Sequence, residues 1–397
     1  MLVGLTTVMS ANVARAEIAI EVEDFTIGFS GNVNAHYLFT ICDSDTSLGA
    51  VAGQALMCAG DDPLHSVTNG LLPANLNTRI ATTQMGLDIE AFFGMWAGLV
   101  ANSGINAYTA IDMRQIFLRF GNGEIGTIKM GRDFGLFGLD AVLNDISLIG
   151  VGASALVASP LNTSLGGIGY GYVYADRLSQ INYTTPSSWG PFSATIGVFQ
   201  PYDLRTLGAN SIADNVDSGS KAPGAQARVA VNFDGGFVSA TFITQNISDV
   251  AVTDAQGNPD TADYQAYGGD LTAVVSFAGL KLLGYGFAAH GIGHLGLFFD
   301  SLSVDGTPRD SFGGMGQVSY TIDALTLGLN VGASYAVKNA VDPGNTVGLA
   351  ARQTLGAYYK LTSNLNILFE GTRFTNAAHS GALLENYTFN LGANFGF

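Results

Sequence analysis

Catalysis by this chain would have to be built from few parts. The sequence holds 5 histidines and 2 cysteines. His290-Gly-Ile-Gly-His294 is the one close pair of metal-type side chains. Two histidines at that spacing share a zinc-binding face on a helix, but not on a strand or a Gly-rich loop. His36, His65 and His379 stand alone. Serine and threonine are abundant, yet none sits in a strand–turn–helix nucleophile context. Gly166-Gly-Ile-Gly-Tyr-Gly171 does not open a helix after a strand, so it does not read as a phosphate cradle. No enzyme and no cofactor are visible in these residues. Cys42 and Cys58 share a Gly/Asp-rich segment and read as a loop disulfide of an exported protein. What remains is charge: 16 Lys+Arg against 32 Asp+Glu give a net −16. That balance lacks the basic footprint of a nucleic-acid binder.

The elements that carry these side chains are set by composition and period. The chain has 397 residues, of which 47% are hydrophobic, only 12% are charged and 52 are glycine. An average soluble domain carries about 25% charged residues and about 7% Gly. The charge deficit and the positive mean hydropathy of +0.28 point to a membrane. A spanning helix needs roughly 20 consecutive apolar residues. Beyond the first positions, Asn, Ser, Gly or Pro breaks every candidate run, including 91–111 and 146–175. The apolarity alternates instead. Phe25, Ile27, Phe29, Val33, Ala35 and Tyr37 interleave with Thr26, Gly28, Ser30, Asn32, Asn34 and His36. Segments 325–337 and 386–397 repeat the pattern. Period 2 is the strand period. The polar face is Asn, Thr, Ser and Gly, where a soluble sandwich would carry Lys and Glu. An apolar outside with a polar lumen is the pattern of a transmembrane barrel.

Sixteen such segments are expected, near 24–38, 79–90, 93–102, 112–121, 125–132, 177–186, 191–201, 224–234, 236–247, 264–277, 280–291, 311–323, 325–337, 348–361, 365–376 and 385–397. Tight turns at Asn122-Gly123, Asp234-Gly235-Gly236, Ala278-Gly279, Asp323-Ala324 and 362–364 alternate with long Gly/Asp/Asn-rich loops. Short turns on one rim and long loops on the other match periplasmic and extracellular ends. Residues 1–16, an apolar stretch closing on Ala14-Arg15-Ala16, read as a secretory signal peptide without its positive start. Residues 17–397 read as a single all-β domain, an antiparallel transmembrane barrel. Phe25, Tyr37, Tyr335, Tyr359, Tyr387 and Phe397 fit interfacial aromatic girdles.

Met113-Arg-Gln-Ile-Phe-Leu-Arg-Phe-Gly-Asn-Gly-Glu-Ile-Gly126-Thr-Ile-Lys-Met-Gly131-Arg132 resembles the strand 4–turn–strand 5 hairpin of the Gram-negative general porins. Thr78-Arg79-Ile with Gly86-Leu-Asp-Ile-Glu90 is similar to their second strand, and Arg177-Leu-Ser-Gln-Ile-Asn-Tyr-Thr-Thr-Pro186 to their sixth. Phe397 resembles the family's assembly signal. The resemblance implies that residues 133–176 form the third loop, folded into the barrel to constrict the pore. It also implies a homotrimer in the outer membrane, in contact with lipid and lipopolysaccharide, passing small hydrophilic solutes and ions. Arg79 and Arg132 match positions of wall arginines facing acidic groups on that loop. Arg119, Arg228 and Arg352 join them on periodicity, each sharing a face with Gln, Asn or Thr. Arg177 matches the sixth-strand motif, but its parity places it with Ile181 and Tyr183, so a bulge or rim position is needed. On the loop, Asp133, Asp140 and Asp145 are the acids before Asp176, and each of the last two could equally cap a helix or turn. The loop departs from the family in being apolar (Leu136, Phe137, Leu139, Val142, Leu143, Ile146, Leu148, Ile149) and in lacking Glu.

The proposed outer loops hold fifteen acids and four bases, so eleven of the sixteen net negative charges lie outside. An acidic mouth raises local cation concentration over about 8–10 Å. Asp43, Asp45, Asp61 and Asp62 could hold a divalent cation such as calcium. The expected function is a water-filled diffusion channel leaning toward cations. A substrate-specific channel and a plugged structural or adhesive barrel are the alternatives.

Overall fold

A computed structural model describes residues 17–45, 57–58, 60, 62–99, 111–153, 163–206, 214–216, 218–253, 258–303 and 305–397. The expected signal peptide lies outside them. Sixteen antiparallel strands are joined edge to edge. They are β1 (Phe25–Asp45), β2 (Ala74–Gln84), β3 (Leu87–Ala97), β4 (Ile111–Asn122), β5 (Gly126–Phe134) and β6 (Arg177–Thr184). Then follow β7 (Phe192–Phe199), β8 (Gly224–Phe233), β9 (Gly236–Thr253), β10 (Pro259–Phe277) and β11 (Leu280–His290). The circuit ends with β12 (Asp310–Ile322), β13 (Leu325–Ala336), β14 (Val347–Lys360), β15 (Leu365–Ala378) and β16 (Leu383–Gly396). The barrel closes where β16 pairs with β1, from Asn32 opposite Gly396 to Asp45 opposite Leu383. Below that seam a short strand, Ile18–Val22, pairs with Val22 opposite Phe25 and Ile18 opposite Phe29. Phe397 and Gly31 exchange backbone hydrogen bonds of 3.0 and 2.8 Å. Closure satisfies the strand edges, which is what a lipid surround demands. No helix among the described residues is long and apolar enough to cross a membrane.

Alternation sorts the side chains as the sequence implies. On β16, Asn386, Thr388, Asn390 and Asn394 are buried, while Phe389, Leu391 and Phe395 are exposed. On β10 and β14, Leu271 and Leu355 are 62% and 65% exposed, which suits a lipid-facing belt and not a core.

Three boundaries differ clearly from the sequence expectation, the first being β1, which runs on to Asp45 and not to 38. The second and third strands turn at Met85-Gly86, so they run 74–84 and 87–97 instead of 79–90 and 93–102. Both turn residues have positive φ, 52° and 81°, a two-residue turn whose twist suits a hairpin. A methionine in left-handed backbone carries no compositional turn signal. Strands β9 and β10 also extend past the expected loop start, to Thr253 and from Pro259, through a bulge between Ile247 and Val250. Cys42 and Cys58 are bonded, their Cα atoms 5.4 Å apart.

Candidate functional site

The segment between β5 and β6 begins and ends together, with Gly135 N–H bonded to Asp176 O at 3.0 Å. It carries a short helix, Leu139–Asn144, and a 3-10 turn, Ile146–Leu148. The segment runs across the barrel interior and is tied to one wall strand after another. Leu136 N–H donates to Gln226 Oε1 on β8 (2.9 Å), and Gly138 N–H to Asp270 Oδ2 on β10 (2.7 Å). Ile146 N–H donates to Gln317 Oε1 on β12 (2.7 Å), whose amide donates back to Asn144 O (2.9 Å). Lys281 on β11 donates to Asn144 Oδ1 (2.9 Å). Val151 and Gly152 N–H converge on Glu370 Oε2 of β15, at 2.8 and 3.1 Å, and Tyr358 of β14 donates to the other oxygen at 2.5 Å.

The loop acids meet arginines directly. Asp140 accepts from Arg228 Nε (2.7 Å) and Nη2 (3.2 Å) and from Ser239 (2.6 Å). Asp145 accepts four bonds: Arg352 Nη2 (2.5 Å), the Tyr172 hydroxyl (2.7 Å), and Ser147 N–H and Oγ (3.0 and 2.8 Å). Asp145 is therefore both a cap for the 3-10 turn and an ion-pair partner. Arg352 and Asp145 side chains are each 0% exposed.

From the first strand, the loop is met by a second inward segment. β1 pairs above with Leu64–Thr68 and below with β2. Between them Asn69, Gly70 and Leu71 are buried. Leu71 and Leu72 N–H bond Gly150 O (2.8 Å) and Leu148 O (3.2 Å), and Ser164 N–H bonds Gly70 O (3.1 Å). Apolar packing completes the docking: Phe137, Ala141, Val142, Tyr172 and Val173 form one buried cluster with wall residues Phe237, Ile243, Val274, Leu283, Phe287 and Met315.

The other sequence-selected residues lie elsewhere. Arg79 and Arg119 sit on inward-facing rows, bonded to Glu17 and Glu90, both at 2.8 Å, and not to the loop acids. Arg132 is opposite Ile116 and Ser179, both exposed, so the register places it on the outward row, and its side chain is 41% exposed. Its lumen assignment is corrected. The reason is visible in Ile128, Met130 and Arg132, which share a parity. The inward positions of β5 are Lys129 and Asp133 instead, paired with each other. Asp133 thus belongs to the wall, where it also accepts from Gln115 (2.8 Å). Arg177 has outward parity, as its neighbours implied, but folds against Tyr174 and lies 3.6 Å from Asp112. Asp43 lies on β1; Asp61 and the side chain of Asp45 are outside the described residues. Among the described residues no group of three or more His, Cys, Asp or Glu is placed to hold a metal. The residues that sequence reasoning missed, Gln226, Asp270, Lys281, Gln317 and Glu370, all have inward parity. That was readable. Which of them the loop would touch was not.

A search of curated proteins returns no match. The solved outer membrane channel DcaP of Acinetobacter baumannii superposes with a TM-score of 0.70 at 13% identity, covering 95% of this chain and 99% of that one. OmpF of Salmonella typhi, solved with daunomycin, gives 0.62 at 14% identity over 96% of this chain and 100% of that one. An anion-selective porin from Comamonas acidovorans gives 0.60 at 14% identity over 94% and 100%. At such identity these share the fold. The family model described as Gram-negative porin matches residues 4–379. With nearly the whole chain matched and the strands closed around an inward-folded third loop, the chain belongs to the Gram-negative porin family, outer-membrane barrels through which small solutes diffuse passively.

Proposed function

We propose that the protein is a restricted, cation-leaning diffusion channel, acting as a homotrimer and not as an enzyme. The observation that carries this reading is the pairing of the third loop. Its acids Asp140 and Asp145 are spent on Arg228 and Arg352, so they supply little transverse field across the open lumen. Selectivity then falls to the mouth, where the outer loops carry most of the net negative charge. The inward wall of β2–β5 carries Arg79, Arg119 and Lys129, which pair with Glu17, Glu90 and Asp133 and not with Asp140 or Asp145. Trimeric assembly rests on likeness to a trimer form of the OmpT porin of Vibrio cholerae, which is 14% identical to this chain. The outward apolar belt fits contact with outer-membrane lipid and lipopolysaccharide.

Reversal potentials in a KCl gradient test the selectivity. The cation sign is expected, reduced at high salt because the mouth potential is screened. Anion preference would contradict the role of the outer loops. A second reading, a plugged barrel of structural or adhesive role, is favoured by the apolar cluster joining the third loop to the wall. It predicts folded barrels without conductance.

A further inference from the structure

The inward rows of β2–β5 carry a feature that passive diffusion does not need. Elsewhere inward positions are mostly Asn, Thr, Ser, Gly and Gln, or are covered by the third loop. Here Phe92 and Phe117 face each other across β3 and β4 on the inward side, in the row that contains Arg79 and Gly131. Their rings stack with centroids 5.0 Å apart and planes 11° from parallel. Both are half-buried, and neither belongs to the apolar clusters that dock the loop. The next inward row is Glu90, Arg119, Lys129 and Asn182. The Lys129 ammonium lies 5.5 Å from the Phe117 centroid. Gly131, directly opposite Phe117, carries no side chain and packs its backbone against that residue, where a Cβ would lie 2.7 Å from Phe117 Cα.

The charges in this patch balance, but they are not equally presented. Glu90 is 14% exposed and Arg119, which it holds, is 26% exposed; Asp133 is 11% exposed and Lys129 26%. The acids are the more covered partners. A guanidinium has five N–H donors, and Arg119 gives Glu90 a single bond of 2.8 Å. The accessible tips are therefore cationic donors next to a π-face.

We propose that Phe92, Phe117, Arg119 and Lys129 form a solute subsite for planar aromatic carboxylates. The ring of the solute stacks on the half-buried phenylalanine pair. Its carboxylate accepts from Arg119 and Lys129, which Glu90 and Asp133 hold in place. Stacking supplies discrimination that charge alone does not, because an aliphatic ring of equal size lacks the offset-stacked geometry. This inference rests on the channel reading.

The test is solute-induced interruption of KCl current through the full-length folded channel. Benzoate is expected to interrupt the current at lower concentration than cyclohexanecarboxylate, which has the same charge and ring size. Phe92→Leu and Phe117→Leu are expected to keep the KCl conductance and to weaken benzoate block by roughly two- to tenfold. Arg119→Gln should weaken benzoate and cyclohexanecarboxylate alike. Equal block by the two acids would overturn the subsite, as would block unaffected by either leucine variant. Stronger block by benzylammonium than by benzoate would overturn its carboxylate class. Each of these leaves KCl conductance intact, whereas its absence from the wild-type protein would sink the channel reading and the subsite with it.

Discussion

Arg352 and Asp145 are enclosed on every side, by Tyr172, Ser147 and Asn330 and by the backbone of Gly152. A buried pair is weak evidence of net stabilisation, but removing one partner strands a buried charge at a cost of about 3–5 kcal/mol. Arg352→Met should therefore release the third loop from β14. Single-channel current is expected to become larger or noisier, with a lower temperature for loss of the folded gel mobility. The double variant Arg352→Met with Asp145→Leu should recover much of the loss in folding stability, since no charge is left unpaired. If the single variant matched the wild type in both readouts, the clasp would not be what positions the loop. The inward face of Arg352 was legible from Thr354, which shares its parity. Its partner was not, because spacing along a strand says nothing about which loop residue arrives opposite it. Arg132 teaches the converse. Its place beside a family motif outweighed the parity of Ile128 and Met130, and parity was the better guide.

At the level of elements, the barrel was readable because each strand repeats one physical rule, with apolar residues to lipid and small polar residues to water. The failures came where the backbone departs from that rule. The Met85-Gly86 turn has no polar marker, and Leu64–Thr68 and β2 both pair with β1, joined by an inward segment that no period announces. Outside the membrane, the loops are held by specific pairs. Arg309, in the loop after β11, donates to Asp342 Oδ2 at 3.0 Å and Oδ1 at 2.5 Å, and Asn339 N–H adds 2.9 Å. Burial acts to raise the Asp342 pKa, but these donors, Arg309 above all, hold it at about 2 against an ordinary 3.8. A depressed folded-state pKa stabilises above the ordinary value and is lost as pH falls through the folded one. The loop pair should thus persist at neutral pH and fail as pH falls from about 4 toward about 2. Limited proteolysis of the 291–309 loop is the readout. Acid should increase cleavage of the wild type, while Asp342→Asn should be cut faster at neutral pH. Equal cleavage of both proteins at neutral pH would show that the pair does not hold the loops.

For the whole molecule, the question is how much passage the docked loop leaves. Low charge, alternation and family motifs foretold the barrel and the inward loop. The extent of docking, from β8 round to β15 and back to the segment before β2, depends on three-dimensional matches that no sequence period carries. The apolar third loop reads in hindsight as an adaptation to an apolar wall, with Phe137 set edge-on to Phe287 at 6.4 Å. The acidic surplus belongs to the rim, and the interior arginines are matched by acids. The central claim is that a polar passage stays open between the docked loop and the β2–β5 wall. Planar-bilayer recording of the folded, detergent-purified protein in KCl tests it most directly. Discrete conductance steps are predicted, small for a sixteen-stranded barrel because the loop is docked across it. Folded barrels that insert and pass no current would contradict the account.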